Sequence, residues 1–321
     1  MSRKIKVLVT GAGSAVGQGI FKSLKISKLN LEVYTCDINA LSTNLYRSKK
    51  SFIIPKVEKA NSLNWFIRFL KKEKIDVLMI GSEYEINFFA KNKEKIEKKT
   101  NTIINVSNYK LCKLADDKLA TQEFLKNNKF RYLKTFKLKN YLDLSRKARI
   151  LKFPFVLKDQ KGTASRNVFL INKKEDLKKF FDKDRDQIAQ EYSGFKGNNL
   201  DYEYTCSFFR TKEGRIIGPF VARRKLVNGH SWVVEVQSFS KISSYIKKLS
   251  QKINCEGSFN IQLRYGKKGP IPFEFNARFS GTTGIRAHFG FNEPEMFINN
   301  YLLGKKITSK NIKYGMCFSY N

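Results

Sequence analysis

Residues 272–278 read PFEFNAR. On a strand, Glu274 and Asn276 alternate onto the same face, and Arg278 follows them there. Gln262 lies on the preceding apolar run, FNIQL, and a hairpin through residues 266–269 sets it near Glu274. Two amides and one carboxylate form an oxygen set of low charge. Such a set suits a hard divalent cation whose shell is completed by phosphate oxygens. Arg278 is then placed to steady a phosphoryl group.

Further upstream, residues 155–159 (FVLKD) form an apolar strand with one lysine, Lys158. A lysine in that setting needs an anionic or hydrogen-bonding partner. Residues 161–166 (KGTASR) follow, a loop of small residues with two cations, suited to folding over phosphates through backbone N–H groups. Residues 188–192 (IAQEY) end a strand before a glycine-bearing connection, and Glu203 opens the next strand, where an acid suits ribose hydroxyls or simply the surface. Arg223, Arg224 and Lys225 close a long strand. Arg223 and Lys225 share one face and Arg224 takes the other, so the face reaching the site stays open.

The elements that must hold these residues follow from periodicity. Residues 1–105 alternate strand and helix, the pattern of a doubly wound parallel sheet. Residues 109–192 mix helices (117–127, 142–149, 175–181) with strands (133–138, 153–159, 168–171, 187–192), and residues 201–276 are mostly long strands. The expected organisation is an α/β N-terminal domain over 1–108, then an α+β part with a central lobe over 109–192 and a C-terminal lobe over 193–321.

A second glycine cluster competes for attention. Residues 10–19 (TGAGSAVGQG) join a strand to a helix, and Asp37 ends the next strand. That arrangement invites an NAD(P)-dependent nucleotide-sugar reductase or epimerase, with Tyr109 and Lys113 as a Tyr-x-x-x-Lys pair. The spacing of Gly11, Gly13 and Gly17 fits the dinucleotide fingerprint loosely, and a reductase has no use for the oxygen ligands downstream. The alternative for these glycines is a tight turn that binds nothing, or part of an acyl substrate.

Composition narrows the classes. The chain has 321 residues, 41% of them hydrophobic, which supports two or three packed units. The net charge of +34 raises nucleic acid as a partner, but the lysines are spread over helix faces that also carry acids, so no nucleic-acid partner is expected. Only two histidines are present, which disfavours triad or histidine-metal chemistry. Five isolated cysteines and the lack of a long apolar stretch favour reduced thiols, a cytoplasmic setting and no membrane span.

Taken in order, these motifs resemble the ATP-grasp superfamily, most closely the branch around the large subunit of carbamoyl phosphate synthetase. The resemblance covers residues 5–305. It implies that Asp117–Lys118 opens the nucleotide domain. Lys158, Lys161, Gly162, Ser165 and Arg166 are then the nucleotide lysine and phosphate loop. Gln190, Glu191 and Tyr192 form the adenine hinge, and Glu203 is the ribose acid. Gln262, Glu274 and Asn276 become metal ligands, with Arg278, Arg223 and Lys225 as catalytic cations. The cofactors implied are ATP and Mg²⁺ or Mn²⁺, and the activity is a carboxylate–amine ligase with an acyl-phosphate intermediate. Its partners are then a small carboxylate and a small amine, amino acids or sugar acids among them; a homodimer is one assembly compatible with the branch. Glu83, Glu85 and residues 228–232 are candidates for facing the substrate.

Overall fold

The computed structural model describes residues 3–162, 167–194, 203–227, 229–266, 268–308 and 311–318. The N-terminal unit is a parallel sheet of β1 (Ile5–Val9), β2 (Leu31–Asp37), β3 (Lys50–Ile53), β4 (Val77–Met79) and β5 (Ile103–Asn105), in the order β3-β2-β1-β4-β5. Its central strands are continuous apolar runs because both faces are covered. Leu8 and Leu78 point to helices α2 (Ser62–Glu73) and α3 (Glu83–Thr100), packing with Phe66, Leu70 and Phe89. Val7, Val9, Val77 and Met79 point the other way, to Ile20 and Leu24 of α1 (Ala15–Lys25). That second core continues into Phe220 and Phe297 of the C-terminal part, so α1 is the layer between the two units.

Segment 109–127 forms two helices, α4 (Tyr109–Asp116) and α5 (Lys118–Asn127), where the sequence indicated one from residue 117. Asp117 makes the break. It ends α4 and caps α5, its carboxylate accepting the N–H of Leu119 at 2.9 Å and of Ala120 at 3.1 Å. Both helices lie against the C-terminal sheet, with Phe124 edge-on to Phe275.

The central lobe is an antiparallel sheet of β6 (Thr135–Lys137), β7 (Phe155–Asp159), β8 (Val168–Ile171) and β9 (Gln187–Glu191), ordered β6-β9-β7-β8. Helices α6 (Tyr141–Leu151) and α7 (Lys174–Phe180) cover one face, where Phe155 and Leu157 pack with Leu144 and Leu177. The period of two on β7 leaves Val156 and Lys158 for the opposite face.

The C-terminal lobe is an antiparallel sheet: β10 (Glu203–Arg210), β11 (Ile216–Val227), β12 (His230–Val236), β13 (Gly257–Gly266), β14 (Gly269–Asn276) and β15 (Gly315–Phe318). Its order is β14-β13-β10-β11-β12-β15. Helix α8 (Ser240–Ser250) packs Ile242, Ile246 and Leu249 on it. The edge strand β15 and the short helix α9 (Thr283–His288) carry no clear periodicity and were not anticipated; α10 (Glu293–Phe297) follows α9. The α/β unit followed by a two-lobed α+β part is the class read from the sequence.

Candidate active site

The β13–β14 hairpin builds the oxygen set. Gln262 pairs opposite Glu274, and Leu263 pairs with Pro272, so Phe273 is an extra residue in the ladder. A bulge of this kind bends the strand and re-aims its neighbours. Gln262 Nε2 and Asn276 Nδ2 each donate to Glu274 Oε1 at 3.1 Å. The three side chains are therefore one cluster, with a single charge among them.

The cations around it come from three elements. Lys158 is buried and donates to Gln190 Oε1 at 2.8 Å, and Gln190 Nε2 in turn donates to Thr135 Oγ1 at 2.9 Å. Burial lowers the Lys158 ammonium to about 7; Lys118 pushes the same way and Glu274 opposes it. Lys118 donates to the carbonyl of Gly162, tying α5 to the loop that begins there. Arg278 donates to Phe279 O at 2.9 Å and reaches Glu83 Oε2 at 3.3 Å, so it links the C-terminal lobe to the start of α3.

On β11 the cation facing the cluster is Arg224. It donates to Gln262 Oε1 at 2.8 Å and to Glu203 Oε1 at 2.9 Å. Arg223 instead pairs with Glu235 on β12, and Lys225 is exposed, so of the three cations it is Arg224, and not the expected Arg223 and Lys225, that lies beside the cluster. The reason is alternation: once Tyr204 pairs with Arg223 in the ladder, the next residue takes the cleft side. Arg264, missed in the sequence, also reaches Glu203, at 3.5 Å. Its signal was available, two residues past Gln262 on the same strand face.

Glu203 is thus held by two guanidinium groups. The Glu191 N–H is taken by Lys134 O at 2.8 Å, so the hinge offers no free donor at that position. Lys161 is exposed beside Asp159 and Gly162 on the wall of a neighbouring cavity. Ser165 and Arg166, with Thr163 and Ala164, lie outside the described residues, as does Asn228.

A cleft of about 200 Å³ lies between the two lobes. Leu133, Val156, Leu226 and Phe273 supply apolar wall, and Lys158, Gln190, Glu191 and Glu203 supply polar groups. It runs past Lys118, Gly162 and Glu274, which also border a pocket shared with Glu83 and Arg278. An apolar slot that opens onto cations and a low-charge oxygen set fits a planar base carrying a chain of phosphates.

The glycine cluster behaves differently. Gly11 has φ of +52°, and a Cβ on Gly17 would stand 2.3 Å from the Gly11 carbonyl, so these glycines close the β1–α1 turn on itself. Asp37 accepts the N–H of Gly13 at 2.8 Å and of Asn39 at 3.0 Å, which engages both of its oxygens within the protein. Lys113 lies over the ring of Tyr109 on α4. None of this is the geometry a reductase needs. Among the described residues no helix is long and apolar enough to cross a membrane, and no three His, Cys, Asp or Glu side chains form a metal cluster.

Comparison with known proteins agrees with this architecture. Residues 200–320 match the family model described as ATP-grasp in the biosynthetic pathway with Ter operon, and residues 7–104 match the PylC-like N-terminal domain. No curated protein sequence matches. The N5-carboxyaminoimidazole synthetase of Staphylococcus aureus, solved with ADP, has TM-score 0.77 and 17% identity, over 97% of this chain and 81% of that one. The carboxyaminoimidazole ribonucleotide synthase of Aspergillus clavatus, solved with ATP, has TM-score 0.77 and 15% identity, over 97% and 80%. The biotin carboxylase domain of the Hydrogenobacter thermophilus 2-oxoglutarate carboxylase has TM-score 0.74 and 15% identity, over 98% and 74%. Two lobes clasping a cleft behind a parallel-sheet domain give the chain the fold of these enzymes, with the ATP-grasp model matching residues 200–320 and the PylC-like N-terminal model matching residues 7–104.

Proposed function

We propose that the chain is an ATP-dependent carboxylate–amine ligase. The carrying observation is the convergence of Gln262, Glu274 and Asn276 beside Lys118, Arg224 and Arg278 at the end of the interlobe cleft. The similar structures of the S. aureus and A. clavatus enzymes, solved with ADP and ATP, support the reading.

The donor set fits Mg²⁺ or Mn²⁺. Glu274 supplies one charge, and a half-turn of either amide presents its oxygen in place of its nitrogen. When bound, the ion neutralises phosphate charge as the terminal phosphoryl moves. The apolar slot holds the base and Lys158 the phosphates, its charge stabilised by them. Arg224 and Arg278 balance the oxygens of the transferring group. A carboxylate oxygen attacks the terminal phosphorus and ADP leaves. The amine nitrogen then attacks the acyl carbon, phosphate leaves, and an amide remains. Positioning and charge do most of this work, which suits a chain with two histidines. The carboxylate is an amino acid or a sugar acid, and the division at residues 108/109 and 192/193 is part of the same reading.

The test is ADP release with a library of carboxylates, with hydroxylamine present to trap the acyl phosphate as a hydroxamate. Glu274→Ala is expected to lower turnover at least ~100-fold, about 2.7 kcal/mol, with an unchanged unfolding midpoint. Turnover near wild type in that variant removes the metal assignment and the proposal with it.

A further inference from the structure

Helix α6 carries an outward face unlike that of the other helices. Its buried side is Leu144, Ala148 and Leu151, packed with Phe155 and Leu157. The opposite side, at i, i+4, i+7 and i+8, carries Leu142, Arg146, Arg149 and Ile150, all exposed. Leu142 is 59% exposed and Ile150 54%. Among the described residues no other helix exposes a large aliphatic side chain within its span; α3 and α4 expose Tyr84 and Tyr109, each in the first turn. Phe153, just past the helix, is 41% exposed and stacks on Phe155 with ring centroids 5.7 Å apart. Single exposed apolar residues are ordinary, but three along one helix and its end make a stripe.

Charge is biased at the same place. Residues 137–153 hold Lys137, Lys139, Arg146, Lys147, Arg149 and Lys152 against Asp143 alone, whereas the whole chain has 62 basic to 28 acidic residues. Asp143 is engaged locally: it accepts the N–H of Lys139 at 3.3 Å and lies 3.9 Å from Lys147. Arg146, Arg149 and Lys152 have no acidic partner among the described residues. These cations alternate with the apolar side chains rather than ringing them. The core of a protein–protein interface is depleted of charge, so the pattern does not suit a packed protein partner. An RNA surface stacks bases on aromatic rings, not on leucine and isoleucine. A bilayer surface accepts both kinds of side chain. The aliphatic tips enter the acyl boundary, and the arginine and lysine stems lie along it with their heads among anionic headgroups.

We propose that the outer face of α6 docks the protein peripherally on an anionic lipid bilayer. Docking there is compatible with an occupied cleft. Helix α6 covers one face of the central-lobe sheet, while Val156 and Lys158 line the interlobe cleft from the other. The membrane contact thus lies behind the lobe and leaves the cleft free. It stands independently of the ligase reading.

Vesicle flotation of the whole chain is the test. Phosphatidylcholine vesicles with ~30% phosphatidylglycerol are expected to bind it at least ~10-fold more tightly than phosphatidylcholine alone. Leu142→Asn with Ile150→Asn, and separately Arg146→Gln with Arg149→Gln, should each weaken that binding at least ~10-fold with an unchanged unfolding midpoint. Lys247→Gln with Lys248→Gln makes the same charge change on the exposed side of α8 and should stay within ~2-fold. Mg-ATP, compared with Mg²⁺ alone, should leave vesicle binding unchanged, and displacement by it would put the contact at the cleft and overturn the proposal. No preference for the anionic vesicles overturns it too. So does wild-type vesicle binding by the Leu142 and Ile150 variant, or an equal loss from the α8 variant, because charge spread over a +34 chain would then suffice. If the Leu142 and Ile150 variant loses affinity for poly(U) and keeps it for vesicles, the face is a nucleic-acid surface instead. ADP release, measured without vesicles, reports on the ligase reading alone.

Discussion

Two charged clusters in the C-terminal lobe are built to opposite ends. In the first, Arg286 and Glu293 are both fully buried and joined at 2.7 Å. Glu293 also accepts from Ser207 and Ser258, and Arg286 donates to Thr282 at 3.1 Å and Thr283 at 2.9 Å. Burial pulls the guanidinium below its usual range and Glu293 opposes this, so charge and hydrogen bonds are answered inside the protein. In the second, around the cleft, Lys118, Lys158, Arg224, Arg264 and Arg278 stand among Glu83, Asp116, Asp159, Glu191, Glu203 and Glu274, and Lys158 has only a neutral amide as hydrogen-bond partner. The first cluster ties α9 and α10 to β10 and β13. The second leaves the Lys158 ammonium without a carboxylate bonded to it, which is the condition for holding a phosphate. A saturated buried pair supports the fold, whereas an unbalanced one awaits a ligand.

The contrast is open to three tests. The largest effect is expected for Glu293→Gln, which leaves a buried guanidinium without its counter-charge. Unfolding in denaturant should then show a loss of ~3–5 kcal/mol; a loss below ~1 kcal/mol would mean the pair is not structural. Next, Lys158→Met should leave stability near wild type or slightly higher, because an unfavourable buried charge is removed, while Mg-ATP binds at least ~10-fold more weakly, about 1.4 kcal/mol. The pH dependence has a defined sign. The folded Lys158 loses its proton near 7, while the unfolded side chain keeps it to near its ordinary 10.5. Between those values the unfolded chain binds more protons, so this group's contribution to stability rises with pH. An anionic ligand favours the charged lysine and raises its pKa, so Mg-ATP affinity should fall as pH rises above about 7, a slope that Lys158→Met abolishes. The smallest test sets neighbours against each other. Arg224→Met should lower turnover ~10-fold. Arg223→Met, which breaks a partly exposed pair with Glu235, should stay within ~2-fold and cost at most ~1 kcal/mol of stability. Equal effects would return the site to the other strand face.

Much of the scaffold was legible. Continuous apolar strands separated by amphipathic helices specify a covered parallel sheet, and the hairpin pairing that sets Gln262 opposite Glu274 was expected from the turn at 266–269. Of the two helices of residues 109–127 only the second was read, from Asp117, because Asp117 is both the end of the first and the cap of the second, a role set by its backbone angles. Edge strand β15 was invisible because four residues carry too little periodicity. Its place comes from pairing with β12, a neighbour distant in sequence.

By itself the sequence determined residue types and the strand alternation that puts Glu274 and Asn276 on one face, since side chains on a strand alternate whatever it pairs with. Only the tertiary structure decided that Arg224 faces the cleft while Arg223 does not, and that Phe273 bulges out of the ladder. Those outcomes depend on register and on contacts between distant segments, where a shift of one residue turns a side chain to the opposite face.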